Sequence, residues 1–403
     1  RDKDVLPSYE ACAIAGAGTD VCLDFLPDDD ETLVQTLSDL LSAGGCACVL
    51  RDTVARAQAT YRMLRESLRG ELDGAQVRLV HSRFIAADRL QNDVALLELL
   101  GPGPSMRPSR LIVVGTQVIE QSLDIDFDVM ITDIAPVDLL LQRMGRLHRH
   151  ARGEGQCERP EGLRRARCYV TGAEDWDVDP PTFARGVDKV YLEALLLRTV
   201  LALRDREDAN GCVTVNLPHD IASLVESVYS EHSQGADSAG SLLVASDTWR
   251  QRLDETERNL ADSRTKSINK AQTWLLGKPQ LRRPKGLVGW LRESLTMTDE
   301  NVARATVRDS QESIEVVAVR EHGGELCVFP WVSSVDGSTP ISRSLGSGEE
   351  VPADDVARLA ATCTVHLPPA LSGPWNAKCV IKALETSCHV PGWQKSRWLR
   401  GQL

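Results

Sequence analysis

The chain has 403 residues, 42% of them hydrophobic and 26% charged, enough to bury a sizeable core and to form two or three domains at about 150 residues each. A net charge of −12 excludes a nonspecific basic coat for nucleic acid, though not a strand held in a groove by a few backbone amides and arginines. No apolar run approaches the ~18 residues of a membrane span and the N-terminal "RDKDVLPSYE" is no signal peptide, so we expect no membrane association and a cytoplasmic location. Eleven cysteines occur singly apart from Cys46 and Cys48, with no C-x-x-C pair. They read as reduced, mostly buried thiols, with no disulfide frame and no metal site.

In chain order, "CACVL" (Cys46 to Leu50) predicts a strand, "TVARAQATYRMLRESL" (Thr53 to Leu68) an amphipathic helix and "QVRLV" (Gln76 to Val80) a second strand. A helix from about Ile85 to Leu100 follows, then a Pro- and Gly-rich loop over Pro102 to Pro108 and the strand Leu111 to Gly115. Further strands are predicted at Val129 to Thr132 and at "RCYVT" (Arg167 to Thr171), with a helix from about Asp138 between them. Short strands alternating with helices give an α/β fold, a parallel sheet flanked by helices. Beyond it, long amphipathic helices are expected at Val187 to Arg206 and Gln251 to Leu276. From about Arg282 the pattern turns β-rich, with "SIEVVAV", "LCVFPW" and "CTVHL" as strands of a small α+β domain.

Two stretches carry chemistry. The joint "TQVIEQSLDIDFD" (Thr116 to Asp128) places carboxylates and amides directly between two apolar strands, where parallel α/β folds put their functional loops. One strand later, "LLLQRMGRLHRH" (Leu139 to His150) sets Gln142, Arg146 and Arg149 near helical spacing, so that the three can share a face. Taken alone, an arginine-rich helix end is a solvated C-terminal turn favoured by the helix dipole. The two stretches together are a far more specific signal. Glu120 and Asp126 read as loop-capping carboxylates, and His148 and His150 as solvated or structural residues at the helix end.

"GTQVIEQSLDID" and "QRMGRLHRH" resemble motifs V and VI of superfamily 2 helicases, in the second of their two RecA-like domains. With "CVLRDTVARAQATY", "LVHSRFIAADR" and the run "DVMITDIAPVDLLLQRMGRLHRHARG", the likeness narrows to the CRISPR-associated helicase-nuclease of type I systems, the I-E branch in particular. "RPEGL", "LPHDIASLVESVY" and "VRDSQESIEVVAV" extend it over most of the chain.

The resemblance implies ATP with magnesium between two RecA-like domains. Arg146 and Arg149 would act as arginine fingers on the γ-phosphate, Gln142 would sense the nucleotide, and Asp124 would approach the ribose or order the finger. A bidentate guanidinium suits charge growing on phosphoryl oxygens. Thr116 would hold a DNA phosphate, and Arg51, Thr53, His81 and Arg83, at strand ends, would track single-stranded DNA. Asp52 stands where asparagine is more usual. His219-Asp220 reads as a helix start rather than a metal-nuclease pair, because no partner histidines or aspartates surround it. Trp331, Trp375, Trp393 and Trp398 offer stacking faces for bases, with core packing the favoured reading.

The implied organisation is a second RecA-like domain over 1–175, a helical linker region over 176–281 and a C-terminal accessory domain over 282–403. No G-x-x-x-x-G-K-[ST] loop, DExH box or HD nuclease cluster is present in the sequence. We therefore expect the C-terminal portion of a longer protein, or one product of a split gene, inactive alone. The nuclease with its metal ions and the first RecA-like domain would lie in the missing N-terminal part. The implied whole is an ATP-driven 3′ to 5′ single-stranded-DNA translocase and nuclease, recruited by an RNA-guided type I surveillance complex to degrade foreign DNA. Another superfamily 2 helicase or remodeller, or a non-catalytic DNA-clamping adaptor, are the alternatives.

Overall fold

A computed structural model describes residues 18–67, 74–103, 107–120, 123–184, 186–209, 212–230, 246–274, 315–322, 325–332 and 354–367. The chain divides into two compact units, Arg1–Arg250 and Gln251–Leu403.

The first unit is built on strands β1 (Thr19–Phe25), β2 (Gly45–Leu50), β3 (Gln76–Val80), β4 (Arg110–Gly115), β5 (Val129–Asp133) and β6 (Ala166–Thr171). Helices α1 (Asp30–Leu40), α2 (Val54–Ser67), α3 (Ala86–Leu100) and α4 (Val137–Met144) connect them. Two small strands, β7 (Ala173–Asp175) and β8 (Thr182–Phe183), pair antiparallel beyond β6. Then come α5 (Val187–Val190), α6 (Glu193–Arg204), β9 (Val213–Leu217) and α7 (Ile221–Tyr229). The main sheet runs β3-β4-β2-β5-β6-β1-β9. Its first six strands are parallel and β9 joins the β1 edge antiparallel.

The central strands are apolar throughout because both faces of a parallel sheet are covered. All six residues of β2, "GCACVL", are buried. On one face Ala47, Val49, Ile112, Val114, Val129 and Ile131 meet Leu33 and Leu37 of α1 and Ala57 and Leu64 of α2. Each such fully buried Leu contributes about 1.5–3 kcal/mol of transfer free energy. The opposite face carries Cys46, Cys48, Val113, Met130 and Cys168, all fully buried, and α4, α6 and α7 pack against one another. Asp29 caps α1, accepting from Thr32 N at 2.7 Å. Gly115 is required where β4 enters its loop, since a Cβ there would overlap the Ile119 side chain.

Several expectations are corrected. β1 and α1 precede the first predicted strand; β1 lies in the sheet and α1 packs on one of its faces. The expected single helix from Val187 to Arg206 is two, α5 and α6, broken at Tyr191 and Leu192, both extended. The segment expected as a helical linker also contributes β9 to the sheet. Cys22 and Cys212 form a disulfide between residues 190 apart in sequence, against the reading of every thiol as reduced. The sequence spacing could not show this pair, because β9 reaches β1 only through the sheet.

A long helix, α8, covers Asp247–Trp274, and in the second unit the strands Glu315–Val317 and Thr364–His366 pair antiparallel. Arg320–His322 and Glu325–Cys327 form a hairpin, and a helix spans Asp354–Thr362. Trp331 is 62% exposed and stacks on Phe329 at 4.8 Å between centroids, so it is not the core residue expected. Trp375, Trp393 and Trp398 lie outside the described residues. No helix among the described residues is long and apolar enough to cross a membrane.

Candidate functional site

β2, β4 and β5 end side by side, so their following loops share one rim of the sheet. α4 leaves that rim and stops at Met144, with Gly145 as its C-cap. Arg146 and Arg149 therefore lie beyond the helix, and helical spacing does not align them with Gln142 as the sequence led us to expect. The loops are joined directly instead. Phe127 N donates to Arg146 O at 2.9 Å and His148 N to Phe127 O at 3.1 Å, a parallel bridge between Phe127 and Leu147. His148 sits at φ 47° to make the turn, buried, with Nε2 3.3 Å from Asp128 O. Burial lowers its pKa, with the Arg159 charge adding to the effect.

Gln142 and Arg149 are exposed and Arg146 is half-buried. Arg149 Nε donates to Asp124 Oδ1 at 2.5 Å, and His150 Nε2 lies 3.3 Å from the same oxygen. The Arg149 hydrogen bond holds the Asp124 carboxyl below its usual range. Arg146 Nη2 donates to Glu120 O at 2.7 Å, while its Nε is buried without a hydrogen-bond partner. Burial, then the neighbouring Arg149 charge, lowers the Arg146 pKa. The structure thus gathers Asp124, Arg146 and Arg149 into one cluster, with a buried donor left over.

The residues expected to track nucleic acid separate into two groups. Thr116, Arg51 and His81 are 2%, 4% and 4% exposed. Thr116 N donates to Val80 O at 3.2 Å. Arg51 pairs with Asp133 at 2.8 Å and Asp28 at 3.2 Å and donates through Nε to Thr60 Oγ1, so its guanidinium faces protein carboxylates rather than an open groove. That corrects the expectation of an Arg51 side chain presented to a strand. His81 stacks on Phe84, sits 3.2 Å from Gln58 Nε2 and accepts at Nδ1 from Arg83 N, and burial lowers its pKa. Thr53 and Arg83 are only partly buried. Thr53 Oγ1 accepts from Arg56 N at the start of α2.

The acidic joint owes its composition mostly to internal ion pairing. Asp126 and Asp128 are 0% and 1% exposed. Arg159 donates to both oxygens of Asp126 at 2.9 Å and also pairs with Asp128. Arg152 Nε binds Asp126 at 3.0 Å and Arg107 Nη2 binds Asp128 at 2.9 Å. The other oxygen of Asp128 accepts from Cys46 N at 2.6 Å. Asp126 is thus no simple loop cap but an anchor for the chain after His150.

Nearer the rim, Arg143 is fully buried. It meets Glu120, Thr132, Asp133, Asp52 and Tyr191, and the Glu120 and Asp52 charges raise its already high pKa. Asp52 is pushed up to about 7 by burial and then by the Asp133 charge, with Arg143 opposing. Neither Arg143 nor this role of Glu120 stands among the sequence expectations. The available signal was the first arginine of "QRMGR", which falls on the apolar side of α4 where an unpaired charge would be costly.

A parallel sheet in this order, with an acidic β4–β5 loop and an arginine-bearing α4 end on one rim, defines a RecA-like α/β domain of the helicase type. The sequence matches the family described as CRISPR-associated nuclease/helicase Cas3, C-terminal, over residues 43–152, and the Cas3 C-terminal domain over residues 308–403. The chain belongs to the Cas3 nuclease/helicase family, as its C-terminal portion. It is 32% identical over 381 residues to the CRISPR-associated nuclease/helicase Cas3 of Streptococcus thermophilus, covering 93% of this chain and 37% of that protein. Among solved structures it resembles T. fusca Cas3-ATP, with TM-score 0.68 and 28% identity over 92% of this chain and 38% of the other. A CRISPR RNA-guided surveillance complex, pre-nicking, holds a similar chain, with TM-score 0.61 and 27% identity over 88% of this chain and 38% of the other. The chain therefore spans less than two fifths of the length of these relatives.

Proposed function

We propose that this chain supplies the second RecA-like half of an ATP-dependent DNA helicase and nuclease in type I, and specifically I-E, CRISPR defence. The observation that carries the reading is the cluster at the rim: Arg149 is exposed and oriented by Asp124, and Arg146 carries a buried, unpartnered Nε. A buried donor without an acceptor costs about 1–3 kcal/mol, so a phosphate oxygen arriving there would relieve it. Gln142, exposed on α4, completes the nucleotide-facing set. The relative solved with ATP agrees with this choice of nucleotide.

ATP and magnesium would be held mainly by the phosphate loop of a first RecA-like domain. ATP supplies the phosphoryl transfer, while residues of this chain orient and neutralise the γ-phosphate side. Single-stranded DNA would pass the strand-end rim at Thr53 and Arg83, with Thr116 and His81 shaping the floor from below. The motor would then move 3′ to 5′, with its nuclease metals in a preceding domain, after recruitment by an RNA-guided surveillance complex of the kind found with the similar chain.

The test is single-stranded-DNA-stimulated ATP hydrolysis by the chain alone and joined to a nuclease and first RecA-like domain of the family. Activity only in the joined form, lowered ~10³-fold or more by Arg149→Ala, is the expected result. Unchanged activity in that variant would remove Arg149 as the finger. DNA binding without hydrolysis in any combination would favour a clamping adaptor.

A further inference from the structure

Arg143 is the second residue of "QRMGR" and, among the described residues, the largest charged side chain wholly withdrawn from solvent. A guanidinium has five N–H donors in a planar fork, and all five are used. Nε donates to Glu120 Oε1 at 2.7 Å. Nη1 donates to Thr132 Oγ1 and Asp133 O, both at 2.8 Å. Nη2 donates to Asp52 Oδ1 at 3.2 Å and Tyr191 Oη at 3.1 Å. These acceptors come from the ends of β2 and β5, from the loop after β4 and from the start of the segment between α5 and α6.

Glu120 is the node that ties this buried group to the exposed cluster. Its side chain receives Arg143 and its carbonyl receives Arg146 Nη2 at 2.7 Å. Asp52 is gripped from several sides: its N donates to Asp133 Oδ2 at 2.9 Å and its carbonyl accepts from Gln117 Nε2 at 2.8 Å. Asp133 in turn holds Arg51 and Arg56. One guanidinium therefore sets the register of α4 against both the loop facing nucleotide and the strand ends beside Thr53.

We propose that Arg143 is a positioning residue, which presents Arg146 and Arg149 to the γ-phosphate by locking the α4 end to Glu120 and Asp52. The proposal rests on the nucleotide-facing reading of the rim. Arg143 touches no reacting atom. Its effect passes through Glu120, and a displacement of about 1 Å at a reacting centre can cost ~10²-fold in rate. Lysine cannot replace it, because a single ammonium has three donors at one point and no fork to span Glu120 and Asp52 together.

The experiment compares Arg143→Lys and Arg149→Ala in the joined protein, reading kcat and KM for ATP per molecule competent to bind a non-hydrolysable nucleotide. Normalising to competent molecules separates positioning from partial unfolding, which would lower the competent fraction without changing kcat. The expected result for Arg143→Lys is a ~10- to 100-fold loss in kcat, with KM within about threefold because ground-state binding is left intact. An unchanged kcat per competent molecule overturns the proposal. If Arg143→Lys does not fold, Glu120→Gln takes its place, keeping an acceptor oxygen for Nε while removing the carboxylate charge. A several-fold loss in kcat then supports the proposal and an unchanged kcat overturns it. Should Arg149→Ala leave hydrolysis untouched, the nucleotide-facing reading itself fails; should only Arg149→Ala matter, the positioning role alone fails.

Discussion

Asp52 shows how a single carboxyl can record its surroundings. Its side chain is 0% exposed, one oxygen meets Arg143 and the other has no partner. Asp133, Arg143, Arg56, Arg51, Glu120 and Tyr191 all face the same pocket of charge. Burial and the Asp133 charge raise the Asp52 pKa from 3.8 to about 7. A carboxyl raised on folding binds its proton more tightly in the native state, so its stabilising contribution is fully present below pH 3.8 and is lost as pH rises towards 7. Asp52→Asn removes the proton linkage while keeping the shape. Denaturant unfolding should then show the variant gaining on the parent between about pH 4 and pH 7, by up to ~1.4 kcal/mol per pH unit, and levelling above. A pH-independent difference would mean that Asp52 stays ionised in the folded protein.

At the scale of elements, the β4–β5 loop and the segment after α4 are joined by buried charge as well as by the backbone bridge at Phe127 and Leu147. Arg159 is 1% exposed at its side chain and faces Asp126 and Asp128, themselves buried. Removing one partner of a buried ion cluster strands the others, and the usual cost is about 3–5 kcal/mol. Arg107 and Arg152 remain as partial partners, so Arg159→Ala should cost ~3 kcal/mol, at the lower end. A loss under about 0.5 kcal/mol in chemical unfolding, the range of ordinary surface substitutions, would show that the two other arginines suffice.

Over the whole molecule, negative charge outweighs positive by 12, and Arg51 is committed to Asp28 and Asp133. Each phosphate contact steepens the log–log salt slope for single strands by about 0.7. The isolated chain should therefore bind single-stranded DNA weakly, with a slope no steeper than about −2. A slope of −4 or beyond in a salt titration would require a basic surface outside Thr53 and Arg83.

Most of the RecA-like sheet was legible in order from Cys46 onward, because each central strand is an uninterrupted apolar run buried on both faces and each helix carries its own periodicity. The edge was not. β1, "TDVCLDF", alternates polar and apolar residues, and β9 lies in a stretch that reads as linker, so both needed the sheet to place them. The same division holds in the site. Gln142, Arg146, Arg149 and Asp124 were singled out through two short stretches that resemble helicase motifs V and VI. The sequence by itself determined the kind of domain and the family it resembles. Only the tertiary structure decided that Arg51 faces inward, that Arg149 meets Asp124 beyond the helix end, and that Arg143 gathers Asp52 from 91 residues away. Burial and charge pairing are set by which strand ends become neighbours, and that is a property of the folded sheet rather than of any window of sequence.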